Sequence, residues 1–319
     1  MSCGPAIALE RDEPRQDDSR VLLEVFTSST STLTGKIRDW RAHGAAALGM
    51  GLVYFLACYV ALSIDVTNGA ASVWPASGLL FGALLLTPKR FVPSVLIGSF
   101  FGGTAANLGV GFAAATSIGY TFINLGEGLA GRWLVRRYCP DAPRLSQPLN
   151  GFALIACGAT ASIGGALIAA TLATLTSHAN WFGVFGTWAG SDATGVVIVA
   201  PVIVATAGAV SELRRPFPRG RLIEAVFVLA VLVITSAWLY LWKHPSRLDQ
   251  FANPLLILPL IAWAAVRFEA PGAAWAIFIV NAFCVWGTAL GYGPLFDLTP
   301  SSLVNLVVQA RVVVTGMVA

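Results

Sequence analysis

The stretch WFGVFGTWAGSDATGVVIVAPVIVATAGA, residues 181–209, holds a single charged side chain, Asp192. At a rise of about 1.5 Å per residue, a helix of this length exceeds the ~30 Å hydrocarbon core of a bilayer. Its apolar residues do not alternate, so it reads as a membrane helix and not as a barrel strand. An acid inside such a span is costly to insert. It is normally paired or faces a polar interior, and it marks function by default.

Two more charges share that position: Glu127 lies within the apolar run 111–134, and Arg311 within 302–319. The chain as a whole follows the same pattern. Of its 319 residues 56% are hydrophobic and 11% charged, with a mean hydropathy of +0.73. A soluble domain carries about a quarter charged residues. Lipid is therefore the solvent for most of this sequence, and its backbone polar groups must be satisfied within each element. The expected fold is an all-α polytopic membrane bundle. The 32 glycines fit close approach of helix backbones.

Apolar runs predict about ten spans: 44–64, 73–87, 91–107, 111–134, 149–175, 181–209, 222–242, 253–268, 272–289 and 302–319. The second and eighth are short; if both are re-entrant, the count falls to eight. Residues 1–43 are polar and of mixed charge, without the apolar core of a signal peptide, and read as a loosely ordered cytoplasmic tail. Residues 44–319 form the membrane domain.

Basic residues set the orientation. With the N-terminus inside, the cytoplasmic loops carry Lys89, Arg90, Arg132, Arg136, Arg137, Arg144, Arg214, Arg215, Arg219, Arg221 and Arg267, and the outer loops only Lys243 and Arg247. Both termini are then cytoplasmic. Trp181, Trp188, Trp242 and Trp286 fall near the outer boundary and Trp40 and Trp133 near the inner one, as an interfacial belt requires. The net charge of +4 resides in these loops and implies no nucleic-acid partner.

Depth along each span suggests partners for the acids. Asp192 and Arg311 both lie near mid-membrane and form a first candidate ion pair. Glu127 and Arg267 lie in the inner third and form a second, with Arg132 as a competitor for Glu127. Asn124, Asn281, Asn305 and Gln309 add hydrogen-bonding groups to the polar interior these residues would bound. Purely structural interhelical contacts explain the same residues equally well. Trp74-Pro75-Ala-Ser-Gly78 opens the short second span, where Pro fixes the entry and Gly permits close approach; it reads as the lip of an outward pocket or as a plain helix start.

No metal site or cofactor is expected. His43, His178 and His244 lack ligand spacing, and Cys3, Cys58, Cys139, Cys157 and Cys284 are scattered without a C-x-x-C pair. No phosphate loop, zinc-protease motif or nucleophile elbow occurs. The chain is read as non-enzymatic.

Several segments carry a resemblance. These are Trp74-Pro75-Ala-Ser-Gly78; Asn124-Leu-Gly-Glu127 followed by Leu134-Val-Arg136-Arg137; Trp188-Ala-Gly-Ser-Asp192-Ala-Thr-Gly195 followed by Ala200-Pro201; Pro259-Leu-Ile-Ala-Trp263-Ala-Ala-Val-Arg267-Phe268; Trp286-Gly287-Thr-Ala-Leu-Gly291-Tyr-Gly293-Pro294; and Gln309. In order and spacing they resemble the first class of membrane-associated sensor domain, the MASE family of bacterial signalling proteins. Three positions depart from its usual pattern: a Ser precedes Asp192, Ala76 stands where a second Pro is frequent, and Arg311 is not a family feature.

The resemblance implies an input domain of the bacterial inner membrane, with a histidine kinase or diguanylate cyclase type output module expected after residue 319, in two-component or cyclic-di-GMP signalling. The candidate sensing residues, read from their charge, depth and motifs, are Glu127, Asp192, Arg311, Arg267, Asn124, Trp74, Pro75, Trp188 and Gln309. The expected partners are the bilayer, a small ligand or a partner membrane protein, and a second copy of the chain. Buried acids and short interrupted helices also fit a small-molecule or ion transporter, and a membrane scaffold is a third reading.

Overall fold

The computed structural model describes residues 16–64, 73–212, 219–242, 257–292 and 308–309, with side chains from Asp39 onward except at 211–212. Among these residues every regular element is a helix. The chain divides into two units, Met1–Ala45 and Ala46–Ala319. In the first, helix α1 (Gln16–Ile64) begins at Gln16, upstream of the expected start of the first span. The second unit holds the remaining helices: α2 (Pro75–Leu86), α3 (Val92–Gly109), α4 (Ala114–Tyr138), α5 (Pro148–Ser177), α6 (Trp181–Glu212), α7 (Arg219–Leu241) and α8 (Leu258–Ala289).

Proline and backbone geometry explain most boundaries. Pro75, Pro93 and Pro148 sit in the first turns of α2, α3 and α5, where the missing N–H has no intrahelical partner to lose. Pro88 follows Thr87, whose extended backbone ends α2. His178 closes α5 in the left-handed conformation, φ 54°.

Six segments are long and apolar enough to cross a membrane: Asp39–Ile64, Lys89–Gly109, Pro148–Ser177, Trp181–Val210, Arg219–Leu241 and Leu258–Ala289. Helix α4 has 25 residues, about 37 Å of helix, but stays outside that set because of its polar residues. Asn124, Glu127 and Arg132 are buried, so that polarity faces protein. Outward-facing positions are apolar instead: Phe101, Phe122, Ile168, Val226 and, at 85% exposure, Val266. Such a surface suits lipid and would aggregate in water. The expected span 302–319 lies outside the described residues apart from Val308 and Gln309, which are helical and buried.

Helix α2 has 12 residues, about 18 Å of helix, well short of the hydrocarbon core. It is enclosed by α4, α5 and α6, and Ala76, Leu80, Phe81 and Leu84 are fully or nearly fully buried. An apolar half-helix is stable at membrane depth when surrounded by protein.

Helix α8 is broken. Glu269 has φ 56° and ψ −146°, and Pro271 follows. A side chain on Gly272 would strike the Ala264 carbonyl and the Phe268 side chain. In a straight helix residues 264 and 272 stand about 12 Å apart along the axis, so the chain turns back sharply at Glu269. This corner separates the segments 253–268 and 272–289 expected from sequence. Both limbs join α7 in one core of Val228, Leu232, Leu239, Tyr240, Ile261, Ala264, Ala276, Val280 and Cys284.

Helix α6 is the hub and touches α2, α5 and α8. Phe81 of α2 fills the space opened by Gly131 of α4 and Gly158 of α5. It joins Val135, Leu154, Val196, Ala200 and Val204 in the central core. Gly78 of α2 and Gly195 of α6 meet backbone to backbone: a Cβ on Gly78 would meet the Gly195 carbonyl, and one on Gly195 the Trp74 carbonyl. The amide of Trp74 also donates to the Ser191 carbonyl at 2.9 Å. The start of α2 is thereby pinned to α6 beside Asp192.

Candidate acid cluster

Asp192 is 2% exposed and Glu127 6%. The Ser77 hydroxyl, in the first turn of α2, donates to Asp192 Oδ1 at 2.9 Å. The Ser162 hydroxyl of α5 donates to Glu127 Oε1 at 2.6 Å. The two carboxyl groups lie within electrostatic reach of each other and of the Tyr54 hydroxyl on α1. Four helices and the short α2 thus converge on one buried acid pair. Glu127 and Asp192 are also within hydrogen-bonding reach of each other, as Tyr54 is of Cys58, while Trp74 Nε1 and Asn124 Oδ1 are buried without a hydrogen-bond partner.

Local sequence explains the arrangement. Asn124 and Glu127 are three residues apart and share a face of α4. On α5, Gly158, Ser162 and Gly165 recur at helical spacing, and Gly165 leaves room for Glu127 Oε2. Because Ser77 reaches Asp192 from the first turn of α2, that carboxyl sits at the positive end of the helix dipole.

The far end of α2 is complemented in the opposite sense. Arg132 is buried and donates to the carbonyls of Leu84 and, at 3.1 Å, Thr87. A cation on the last carbonyls of a helix satisfies acceptors that have no intrahelical donor. Arg132 therefore caps α2 and does not compete for Glu127. We expect Arg132→Ala to lower stability by about 1–3 kcal/mol, the cost of leaving buried acceptors unsatisfied. Thermal melting in detergent measures this. Arg132→Lys recovers only part, because an ammonium lacks the planar fork.

The expected pairing of Glu127 with Arg267 does not form. Arg267 Nε instead binds Glu224 Oε1 of α7 at 2.6 Å, in a partly exposed pair at the α8 corner. Depth along a helix fixes height and not neighbours, and α8 packs mainly on α6 and α7. Arg311 and Asn305 lie outside the described residues, and with Arg311 the Asp192–Arg311 pair. Asn281 is buried and bonds the Ile277 carbonyl of its own helix at 2.9 Å.

The other candidates surround the acids. Trp74 is buried and Pro75 half-buried. Trp188, one turn before Asp192, packs edge-on against Tyr120 with ring centroids 5.0 Å apart. Gln309 is buried, and its amide lies against Gly190, where a Cβ would collide with it. Sequence reasoning missed Tyr54, Ser77 and Ser162. Only the Trp74–Gly78 motif, which contains Ser77, offered a signal for any of the three.

Among the described residues no group of three or more His, Cys, Asp or Glu side chains could hold a metal ion. The described cysteines Cys58, Cys139 and Cys157 are free thiols.

No curated protein and no solved structure matches the chain. The family model of MASE1, membrane-associated sensor domain 1, matches residues 45–319. That range holds the acid pair and every helix packed on it, and the chain belongs to the MASE1 family of membrane sensor domains.

Proposed function

We propose that this membrane sensory domain reads its stimulus at the cluster of Asp192, Glu127, Asn124, Trp74, Pro75, Trp188 and Gln309. The final segment carries the result to a cytoplasmic output module of histidine kinase or diguanylate cyclase type. In this reading both termini are cytoplasmic, the membrane is the bacterial inner membrane, the working unit is a homodimer, and the chain itself performs no catalysis. Residues 1–43 form its tail and 44–319 the sensory domain; Arg311 belongs to the relay and Arg267 to the inner corner.

One observation carries the proposal. Gln309, in the final segment, rests on Gly190, and Gly190 lies two residues from Asp192 on α6. A change in the charge or hydration of the acid pair that shifts α6 therefore reaches the final segment directly. A stimulus moves such an equilibrium only by its differential affinity for the two packings. Acids in low dielectric provide that difference, because each change of charge there is large in energy.

The test is a fusion of the chain to an output module, comparing wild type with Asp192→Asn. The variant is expected to insert normally and lose its graded response. An unchanged response in a normally inserted variant makes Asp192 structural.

A further inference from the structure

Two thiols far apart in sequence meet at the junction of α4 and α5. Cys139 follows Tyr138, the last residue of α4, and Cys157 lies about 14 Å along α5 from Pro148. The link between the helices explains the meeting. Its short 3-10 turn, Ala142–Arg144, folds back onto α5 and α6, with Ala142 1% exposed. Leu145 then takes the left-handed conformation, φ 48°, and turns the chain toward Pro148. Cys139 and Cys157 both pack on the core of Val135, Ala142 and Leu154, and their thiols lie within hydrogen-bonding reach of each other.

Both are free and half-buried, whereas Cys58 and Cys284 are at most 1% exposed. An oxidant dissolved in water therefore reaches the first two ahead of the others. Thiols in contact need little movement to reach a disulfide bond length of about 2.05 Å. In the orientation proposed above, the pair lies at the cytoplasmic end of α4, in a reducing compartment where protein disulfides are transient and sensory.

We propose that Cys139 and Cys157 form a reversible disulfide, made by hydrogen peroxide and broken by small-molecule thiols. The thiolate of one cysteine attacks the peroxide, the O–O bond breaks, and a sulfenic acid and hydroxide result. The second thiol attacks the sulfenic sulfur. The S–S bond forms as the S–O bond breaks, and the departing hydroxide takes up the thiol proton as water. Each thiol gives up one electron, and the peroxide is reduced to two waters. Two small thiols reverse the bond by exchange and leave as their own disulfide.

The bond ties the end of α4 to α5. The same helices meet where Ser162 donates to Glu127, just over three turns before Cys139 on α4 and little more than one turn after Cys157 on α5. Oxidation fixes the spacing at which Ser162 holds Glu127, so the redox state limits the packings open to the acid cluster.

The test uses the purified chain in detergent with Cys3→Ser, titrated with hydrogen peroxide and mapped by non-reducing peptide mass spectrometry. We expect one linked peptide, joining Cys139 to Cys157, at peroxide levels that leave Cys58 and Cys284 open to alkylation after denaturation. Dithiothreitol should return it to two thiols. Hydrogen–deuterium exchange of the peptides that hold Glu127 and Ser162 should slow several-fold on oxidation and be indifferent to peroxide in Cys157→Ala. Absence of the linked peptide, links scattered over Cys58 and Cys284, a link that dithiothreitol does not break, or exchange around Glu127 and Ser162 unchanged by oxidation each overturns the proposal. Every readout comes from the chain alone, so a fusion that fails to signal leaves the disulfide to be judged separately, and the reverse holds as well.

Discussion

Gly195→Val is expected to abolish the folded membrane unit. A side chain at 195 would run into the Trp74 carbonyl, and the facing Gly78 already lies against the Gly195 carbonyl and Val199. Both sides of this contact are backbone, so no flexible side chain can swing clear. Overpacking typically costs about 1–3 kcal/mol, and a rigid backbone contact belongs at or beyond the upper end. That is a large share of a total stability of about 5–15 kcal/mol. The crossing also holds Ser77 against Asp192, so the same change dismantles the acid cluster. Size-exclusion chromatography with a thermal ramp should show loss of the monodisperse peak. Gly164→Val is the control: a Cβ there meets nothing within 4 Å. Equal stability of the two variants would refute the close α2–α6 crossing.

The second large effect is on signalling. Asp192→Asn keeps the shape of the side chain and an oxygen for the Ser77 hydroxyl, so insertion should survive. What disappears is the ability to change charge beside Glu127. Couplings between sites are typically about 1–3 kcal/mol, or roughly five- to hundredfold in a population ratio. Losing one of that size should pin the output of the fusion protein near one level across the stimulus range. Thermal stability should stay close to wild type, which separates a sensing role from a structural one.

The sequence disclosed these residues unevenly, for physical reasons. Asp192 and Glu127 were legible because an acid in an apolar run has few tolerable environments, and both are buried in protein. The extents of α2, α5 and α6 were legible from Pro75 and the apolar runs 149–175 and 181–209. The partners were not. Depth from residue counting brought Glu127 and Arg267 to one height, but α8 packs mainly on α6 and α7, where Arg267 meets Glu224.

Pairing by opposite sign also misled for Glu127. Each acid has the other within electrostatic reach, and the hydroxyls of Ser77 and Ser162 hold them. A serine in a membrane helix most often bonds its own backbone, as Thr160 and Thr171 do here, so its sequence does not reveal a carboxylate partner. Arg132 looked like a counter-ion for Glu127 until the end of α2 came into view, where unpaired carbonyls of a short buried helix needed a donor more.

The claim on which the account turns is that the final segment rests on α6 next to Asp192 and follows its state. Gly190→Cys with Gln309→Cys, in a chain whose five native cysteines are replaced by Ala, measures it directly in membranes. The account predicts rapid disulfide formation and a clear change in its rate when Asp192→Asn is added. Failure of the two thiols to cross-link, or the same rate with Asp and with Asn at position 192, would contradict it.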